Sequence, residues 1–175
     1  MEPPSWEWTR EQEWLNARVE AYHRLELDPS SIIFHYGQEA FEGLKAYHTA
    51  AGHSVLFRPR NNFERMNRTA RRMCLPELDI DFTLDALKQM IRKDINLIPQ
   101  DPGTYLYIRP TLIGTEAAIG LKVSKSFLFF IIMCPVGPYY PEGFNPVKII
   151  VSEKYTRAAP GGVGDVKTAG NYAAS

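Results

Sequence analysis

The stretch Thr104-Tyr-Leu-Tyr-Ile-Arg-Pro-Thr-Leu-Ile113, followed by Ser126-Phe-Leu-Phe-Phe-Ile-Ile-Met-Cys134, decides the class of fold. Both segments are rich in tyrosine, isoleucine and phenylalanine, which are residues that favour strands. Upstream of them, the segment Asn61–Met73 has apolar residues at helical spacing and predicts a helix. The apolar positions of this helix are Phe63, Met66, Ala70 and Met73.

More elements are expected on the N-terminal side. A second helix is predicted over Thr83–Leu97, with its first residue as the N-cap and Pro99 after its last turn. Shorter strands are predicted at Ser31–Tyr36 and at Val55–Arg58, the second of which Pro59 would stop. Helices mixed with strands in this order predict an α+β domain over residues 1–135.

The segment Pro135-Val-Gly-Pro-Tyr-Tyr-Pro-Glu-Gly143 interrupts this pattern with three prolines and two glycines. It predicts a stiff linker between domains, at residues 136–146. Beyond it, Val147–Ser152 is expected to form the first strand of a second domain, and residues 147–175 are expected to be the beginning of that domain. A segment of this size is too short to bury a core of its own. Either it docks on the first domain or the parent protein continues, and we expect continuation.

Composition excludes several classes of protein. The 20 basic and 20 acidic residues cancel without a block of like charge, so no nucleic-acid or membrane partner is expected. The longest apolar run, Phe127–Met133, is far shorter than a membrane span of roughly 20 residues, and the first residues lack a signal peptide's features. Cys74 and Cys134 have no metal-ligand spacing, which predicts no metal site and two buried, reduced thiols. A cytoplasmic protein fits best.

The glycine cluster Gly161-Gly-Val-Gly-Asp-Val-Lys-Thr168 has two chemical interpretations. A phosphate-binding P-loop would require glycine where Val166 stands, which argues against nucleotide binding. Alternatively, Lys167 forms a Schiff base with a carbonyl cofactor, and the small residues around it let a planar ring approach. An isolated lysine is more often a solvated surface residue, so the cluster alone leaves its role open.

Five blocks of sequence, taken together, resemble the branched-chain amino acid aminotransferase family. They are His35-Tyr-Gly-Gln-Glu-Ala-Phe-Glu-Gly-Leu-Lys-Ala-Tyr47, Leu56-Phe-Arg-Pro59 with Phe63-Glu-Arg-Met-Asn-Arg68, Leu106-Tyr-Ile-Arg-Pro-Thr-Leu-Ile-Gly114, Cys134-Pro-Val-Gly-Pro-Tyr139 and Gly161–Tyr172. The resemblance implies the N-terminal half of a fold-type-IV, D-amino acid aminotransferase-like enzyme that uses pyridoxal 5'-phosphate. Such an enzyme has a small α+β domain, a linker and a larger domain, with the cofactor between the two domains.

The resemblance also implies a role for individual residues. Lys167 matches the catalytic lysine that carries the cofactor and moves the proton. Arg65 matches the arginine that binds the cofactor phosphate, and Tyr172 matches the tyrosine that contacts the pyridoxal O3'. The substrate-binding positions include Arg109, which matches the arginine that meets the distal carboxylate of glutamate. The other substrate-binding positions are Tyr36, Phe41, Tyr107 and Tyr139, with Ile119 and Leu121 reaching into the partner subunit of a homodimer.

The physical character of these residues agrees with the implied substrates. Aromatic rings and aliphatic tips suit leucine, isoleucine and valine, because each buried methylene contributes about 0.8 kcal/mol. A guanidinium among tyrosines lets the same pocket take the carboxylate of glutamate or 2-oxoglutarate. The expected reaction is therefore transfer of an amino group from a branched-chain amino acid to 2-oxoglutarate. The 175-residue chain alone is expected to be inactive, because the other half of such an enzyme completes the cofactor site.

Three alternatives remain at this stage. Within the same fold, the chain could come from a D-amino acid aminotransferase or an aminodeoxychorismate lyase. Outside catalysis, it could be a truncated small-domain module that dimerises or regulates. Each predicted site residue also has an ordinary structural interpretation, since Arg65 could be a solvated helix arginine, and Phe41 and Tyr107 could be core aromatics.

Overall fold

The computed structural model describes residues 6–9, 13–138 and 145–173. One antiparallel sheet organises this part of the chain, with strand order β2-β1-β7-β6-β4-β5 and β3 also paired to β6. The strands are β1 (Trp6–Thr9), β2 (Glu13–Leu15), β3 (Glu39–Phe41), β4 (Leu44–His48), β5 (Ser54–Leu56), β6 (Tyr105–Gly114) and β7 (Ser126–Val136). The long pair β6 and β7 confirms the two strands expected over 104–113 and 126–134.

Three α-helices accompany the sheet: α1 (Ile32–Tyr36), α2 (Pro59–Arg72) and α3 (Ile80–Lys93), with short 3-10 turns at Ile95–Leu97 and Ala169–Asn171. The apolar stripes of α2 and α3 and the inward-facing residues of β3, β4, β6 and β7 form one core. Its fully buried members include Phe63, Met66, Leu87, Leu106 and Ile108. The fold is α+β, as expected. No helix among the described residues combines the length and apolar character needed to cross a bilayer.

Strands β3 and β4 follow a single register along β6 and are interrupted at Glu42 and Gly43. Phe41 pairs with Thr111 and Leu44 pairs with Ile108, so the two interrupting residues lie opposite the Arg109-Pro110 step. The N–H of Glu42 still donates to the carbonyl of Pro110 at 2.9 Å. The reciprocal bond is impossible because proline has no N–H, which explains the break in the ladder.

Several predicted elements are wrong in type or extent. The predicted buried strand at 31–36 is instead helix α1 from residue 32 onwards, preceded by Ser31 as its N-cap, and Ile32 is the one buried residue of the helix. Gly37 ends this helix with φ of 59° and donates its N–H to the carbonyl of Ile33. A short apolar run fits helix and strand equally well, so its composition did not discriminate between them.

The boundaries of the two long helices also differ from the prediction. Helix α3 begins at Ile80, where the Asp79 side chain accepts a hydrogen bond from the N–H of Phe82. Thr83, predicted as the N-cap, is instead buried inside the helix. Pro59 begins helix α2 instead of merely stopping a strand, because its fixed φ suits the first helical turn.

Two further expectations are corrected. Cys74 and Cys134 are both exposed free thiols, not buried ones. The segment Val147–Ser152 is not a strand, and it pairs with no strand in the described part of the chain. Its side chains are largely solvent-exposed, with Ile150 at 92%. Apolar β-branched residues favour a strand only where a neighbouring strand supplies hydrogen bonds.

The last described segment, from Gly162 to Tyr172, docks on the sheet and on α2. Val166, Thr168 and Asn171 are buried there. This docking is one of the two outcomes expected for the C-terminal residues, and it brings the predicted cofactor lysine onto the first domain.

Candidate active site

The main chain of Lys167 is held on both sides by the α+β domain. Its N–H donates to the hydroxyl of Thr69 on α2 at 3.0 Å. Its carbonyl accepts the N–H of Phe41 at the end of β3 at 3.2 Å. The hydroxyl of the next residue, Thr168, donates to the carbonyl of Glu39 at 2.6 Å. These hydrogen bonds fix the main chain of Lys167, although the segment around it is rich in glycine.

The turn before Lys167 is fixed by a side chain as well. Asn171 donates from Nδ2 to the carbonyls of Val163 and Val166, both at 2.7 Å. These bonds close the segment on itself and satisfy backbone carbonyls that would otherwise lack partners.

The side chain of Lys167 lies against two aromatic rings. Its Nζ donates to the Tyr172 hydroxyl at 3.0 Å and lies 4.2 Å from the centroid of the Phe41 ring. The rings of Phe41 and Tyr172 meet edge to face, with centroids 5.0 Å apart. The amine is thus partly shielded from water and held by a hydrogen bond and a cation–π contact. This geometry is consistent with the assignment of Lys167, Phe41 and Tyr172 to one site.

Arg109 extends the same cluster across the sheet. Its guanidinium carbon lies 4.7 Å from the Phe41 ring centroid and 5.2 Å from that of Tyr107. Its Nη2 donates to the Tyr107 hydroxyl at 2.7 Å. Its Nε is buried and has no hydrogen-bond partner among the described residues. A buried, unpaired N–H at this position is available to donate a hydrogen bond to an oxygen of a ligand.

Glu39 lies close enough to Arg109 for their charges to interact. Burial raises the pKa of the Glu39 carboxyl above its usual range, and the positive charge of Arg109 opposes this increase. The carboxyl next to this guanidinium therefore keeps its proton to a higher pH than an exposed glutamate does.

Arg65 is paired with a buried carboxylate. Its Nε and Nη2 donate to Glu42 Oε1 and Oε2 at 2.6 and 2.7 Å. These hydrogen bonds raise the pKa of Arg65, partial burial opposes the increase, and the charges of Glu42 and Tyr172 add to it. Arg65 is close enough to Tyr172 for an electrostatic interaction, and Tyr172 in turn contacts Lys167.

Tyr107 requires a glycine beside it. A Cβ built on Gly43 would overlap the Tyr107 hydroxyl and lie 3.2 Å from its Cζ. The two residues are neighbours on the same face, because Gly43 lies between β3 and β4, and Tyr107 is on the adjoining β6. Because position 43 has no side chain, the end of the Tyr107 ring fits next to the main chain there and its hydroxyl meets Arg109.

Three other predicted residues form a separate group. The Tyr36 hydroxyl donates to the carbonyl of Ile119, and Ile119 and Leu121 are 69% and 83% exposed. Among the described residues, no hydrogen bond or ring contact joins this group to Lys167. Tyr36 and Leu121 line a hollow of about 400 Å³ that also includes Val163 of the glycine-rich segment. Tyr139 lies outside the described residues.

A larger groove lies elsewhere and includes none of the predicted site residues. It has a volume of about 640 Å³ and runs between the segment at residues 17–25, helix α3 and strand β7. The candidate site around Lys167 therefore lies outside this groove.

Several residues that organise the site were not singled out from the sequence: Glu42, Gly43, Thr69, Thr168 and Asn171. Glu42 and Gly43 lie inside the first quoted block, so the block itself was a signal for them. Thr69 had none, because its partner Lys167 is 98 residues away and the bond that its hydroxyl donates within the helix, to the Arg65 carbonyl, gives no hint of that contact.

The described residues suit a phosphorylated aldehyde cofactor. Lys167 supplies an amine that is held in place, and Tyr172 supplies a phenol next to it. The Nη1 edge of Arg65 has no acceptor among the described residues, although its other edge is taken by Glu42. An amine for the carbonyl and a cationic edge for the phosphate are the two groups that such a cofactor needs.

Comparison with curated proteins gives many matches over nearly the whole chain. It is 50% identical to branched-chain-amino-acid transaminase 1 of Bacillus subtilis, over 93% of this chain and 46% of the relative. It is 46% identical to the cytosolic branched-chain-amino-acid aminotransferase of Saccharomyces cerevisiae, over 95% of this chain and 44% of the relative. The chain belongs to the branched-chain aminotransferase family. No family model matches it.

Comparison with solved structures identifies the fold. The branched-chain aminotransferase of Escherichia coli superimposes with a TM-score of 0.59 at 19% identity, over 98% of this chain and 54% of the other. The branched-chain aminotransferase of T.th., complexed with N-(5'-phosphopyridoxyl)-L-glutamate, gives 0.55 at 21% identity, over 73% and 39%. The fold is therefore that of the fold-type-IV aminotransferases. The chain spans about half the length of the curated relatives it matches.

Proposed function

We propose that this chain supplies the cofactor-lysine part of a transaminase that moves the amino group of leucine, isoleucine or valine to 2-oxoglutarate. The observation that carries the proposal is the setting of Lys167, whose backbone is fixed by Thr69 and Phe41 and whose amine donates to Tyr172. An amine in that setting is what a carbonyl cofactor requires. The relatives' names supply the substrate class.

The proposed cofactor is pyridoxal 5'-phosphate, which supplies an electron sink when bound. Lys167 would hold the cofactor through its amine, and the same amine, once released, would move the substrate proton. Tyr172 orients the ring by a hydrogen bond at its phenolic oxygen, and Arg65 binds the phosphate. Support for this assignment comes from the short distance between the Lys167 amine and the Tyr172 hydroxyl and from the unused edge of Arg65.

The substrate side chain is proposed to lie against Phe41 and Tyr107. The roles of Tyr36 and Tyr139 in the same pocket rest on the resemblance alone. Arg109 receives the distal carboxylate when glutamate or 2-oxoglutarate enters. Its buried, unpaired Nε and its bond to Tyr107 support this role. A guanidinium that is held by aromatic faces tolerates an aliphatic side chain and still has donors for a carboxylate.

The wider architecture is also a proposal. Residues 1–135 form the small domain, 136–146 a linker, and 147–175 the beginning of the larger domain. Ile119 and Leu121 extend into the partner site of a homodimer, which is consistent with their exposure. The proposed location is the cytoplasm, and the yeast relative named cytosolic supports it.

An activity assay tests the proposal. The intact protein that carries this sequence is loaded with pyridoxal phosphate and incubated with L-leucine and 2-oxoglutarate, and glutamate is measured. We expect glutamate to form, and we expect Lys167→Ala to abolish it. Absence of glutamate with the loaded wild-type protein would contradict the proposal.

The within-fold alternatives are tested in the same assay. D-Alanine and aminodeoxychorismate are offered in place of L-leucine, and the values of kcat/KM are compared. The proposal expects L-leucine to exceed both by at least about tenfold, which corresponds to about 1.4 kcal/mol of transition-state binding. Faster turnover of either alternative would reassign the substrate within the same fold.

A further inference from the structure

Glu42 is a fully buried carboxylate with four donors around it. Arg65 contributes two of them, at 2.6 Å to Oε1 and 2.7 Å to Oε2. The Asn62 side chain and the N–H of Gly43 donate to Oε2 at 3.0 and 3.2 Å. The side chain of Glu42 is 0% exposed, whereas that of Arg65 is 45% exposed. The buried partner is therefore the acid, and the arginine lies at the boundary with solvent.

Stability does not account for this arrangement. Removing a carboxylate from water is costly, and apolar residues of similar size can often replace a buried ion pair without loss of stability. The neighbouring core position Leu44 is filled by such a residue. What the pair does provide is direction, because a bidentate contact fixes the plane and rotation of a guanidinium.

The edge of Arg65 that remains is the one suited to a ligand. A guanidinium has five N–H donors, and Glu42 engages one on Nε and one on Nη2. The two donors on Nη1 and the second on Nη2 point away from Glu42. Among the described residues, no acceptor lies within hydrogen-bond distance of Nη1. Two adjacent nitrogens with free donors match two oxygens of a phosphate group.

We propose that Glu42 is a positioning residue that holds Arg65 by its Nε edge, so that the Nη edge is preset to bind the phosphate of the cofactor. The inference rests on the proposed function, since it needs a phosphorylated cofactor on Lys167. Asn62 and the main chain at Gly43 keep Glu42 itself in place. Strand alternation places Glu42 on the same face as Ala40 and Leu44, which belong to the core that helix α2 also joins, and Arg65 lies on that helix.

The decisive variant is Glu42→Gln in the intact protein that carries this sequence. A glutamine can accept from one nitrogen of Arg65, but its amide would place a donor against the second one. The dissociation constant for pyridoxal 5'-phosphate is measured by absorbance titration and compared with that for pyridoxal, which lacks the phosphate. We expect the first constant to rise roughly 10- to 100-fold, as is usual when a supporting partner is lost, and the second to stay within about twofold.

Two further variants make the test selective. Glu77→Gln removes a carboxylate in the loop after helix α2 that pairs with Arg71 near the end of the helix, and both of these side chains are exposed. Both dissociation constants should then match the wild type. Glu42→Asp keeps the charge with one methylene fewer, so it draws Arg65 back or breaks one of its two contacts. It should raise the pyridoxal phosphate constant less than Glu42→Gln does, again without affecting pyridoxal.

The outcomes separate the inference from the proposed function. If Glu42→Gln does not fold, Glu42→Asp carries the comparison. If the folded variant binds pyridoxal phosphate as tightly as the wild type does, the inference is wrong and the proposed function is unaffected. Equal weakening of pyridoxal phosphate and pyridoxal also overturns it, because the defect would not depend on the phosphate. A wild-type protein that binds neither compound overturns the proposed function together with the inference.

Discussion

The hydroxyl of Thr69 accepts a hydrogen bond from the main-chain N–H of Lys167 at 3.0 Å, joining helix α2 to a segment 98 residues further along the chain. The same hydroxyl donates to the carbonyl of Arg65 at 3.0 Å. One buried helix residue therefore links the two positions proposed to hold opposite ends of the cofactor. Arg65 and Lys167 are therefore both tied to the same point on helix α2.

Thr69→Val should weaken this link with little change of shape. The valine cannot accept the Lys167 N–H, and an unpaired, partly buried donor costs about 1–3 kcal/mol. We expect the free energy of unfolding in urea to fall by that amount. Thr83→Val is the matched control, since Thr83 is equally buried in α3 and its hydroxyl donates only to the Asp79 carbonyl in the same helix. Equal losses in the two variants would contradict the proposed importance of the cross-chain bond.

Gly43→Ala should alter substrate choice. The added methyl group would force the Tyr107 ring away from Gly43 and disturb its bond with Arg109. If Arg109 receives the distal carboxylate, kcat/KM for glutamate should fall by about tenfold more than kcat/KM for leucine, a difference of about 1.4 kcal/mol. Gly137→Ala is the control, because a Cβ there would meet nothing within 4 Å. A loss that is the same for both substrates would argue against this role of Arg109.

Glu39→Gln should change how stability depends on pH. Burial raises the pKa of Glu39, so the folded protein holds its proton at pH values where the unfolded chain has released it. The free energy of unfolding contributed by this group therefore falls as pH rises from the usual glutamate pKa, about 4.3, through the raised folded value. The variant lacks this fall, so its stability relative to the wild type should increase with pH across that window. Urea unfolding at several pH values measures the difference, and parallel curves would contradict the prediction.

The sequence predicts the long elements of this fold well. The spacing of Phe63, Met66 and Ala70 identified helix α2, and the structure buries all three residues against the sheet. The long strands β6 and β7 were equally clear because their composition is strongly strand-forming. Periodicity succeeds here because each element exposes one face to the core along several turns or residue pairs.

Short elements and contacts between distant residues could not be predicted in this way. The strand predicted at 31–36 was wrong. Gly37 ends a helix there, and an element of five residues has too little periodicity to be identified. Thr83 was assigned the capping role that belongs to Asp79, since both residue types are good N-caps. The pairing of Glu42 with Arg65 depends on how β3 meets α2, and no local pattern encodes that contact.

The site residues were inferred from resemblance, and the structure adds their geometry. Lys167, Tyr172, Phe41, Arg109 and Tyr107 form one connected set of contacts. No spacing rule would have assembled them, because they come from three separate parts of the chain. Their assignments as cofactor or substrate ligands stay predictions.

Covalent mapping of the cofactor tests the central claim most directly. The intact protein that carries this sequence is saturated with pyridoxal 5'-phosphate, reduced with borohydride, digested and analysed by peptide mass spectrometry. The account predicts one pyridoxyl adduct, on the peptide that contains Lys167, and its loss in Lys167→Ala. A principal adduct on any other lysine, such as Lys45 or Lys154, or no adduct at all, would contradict it.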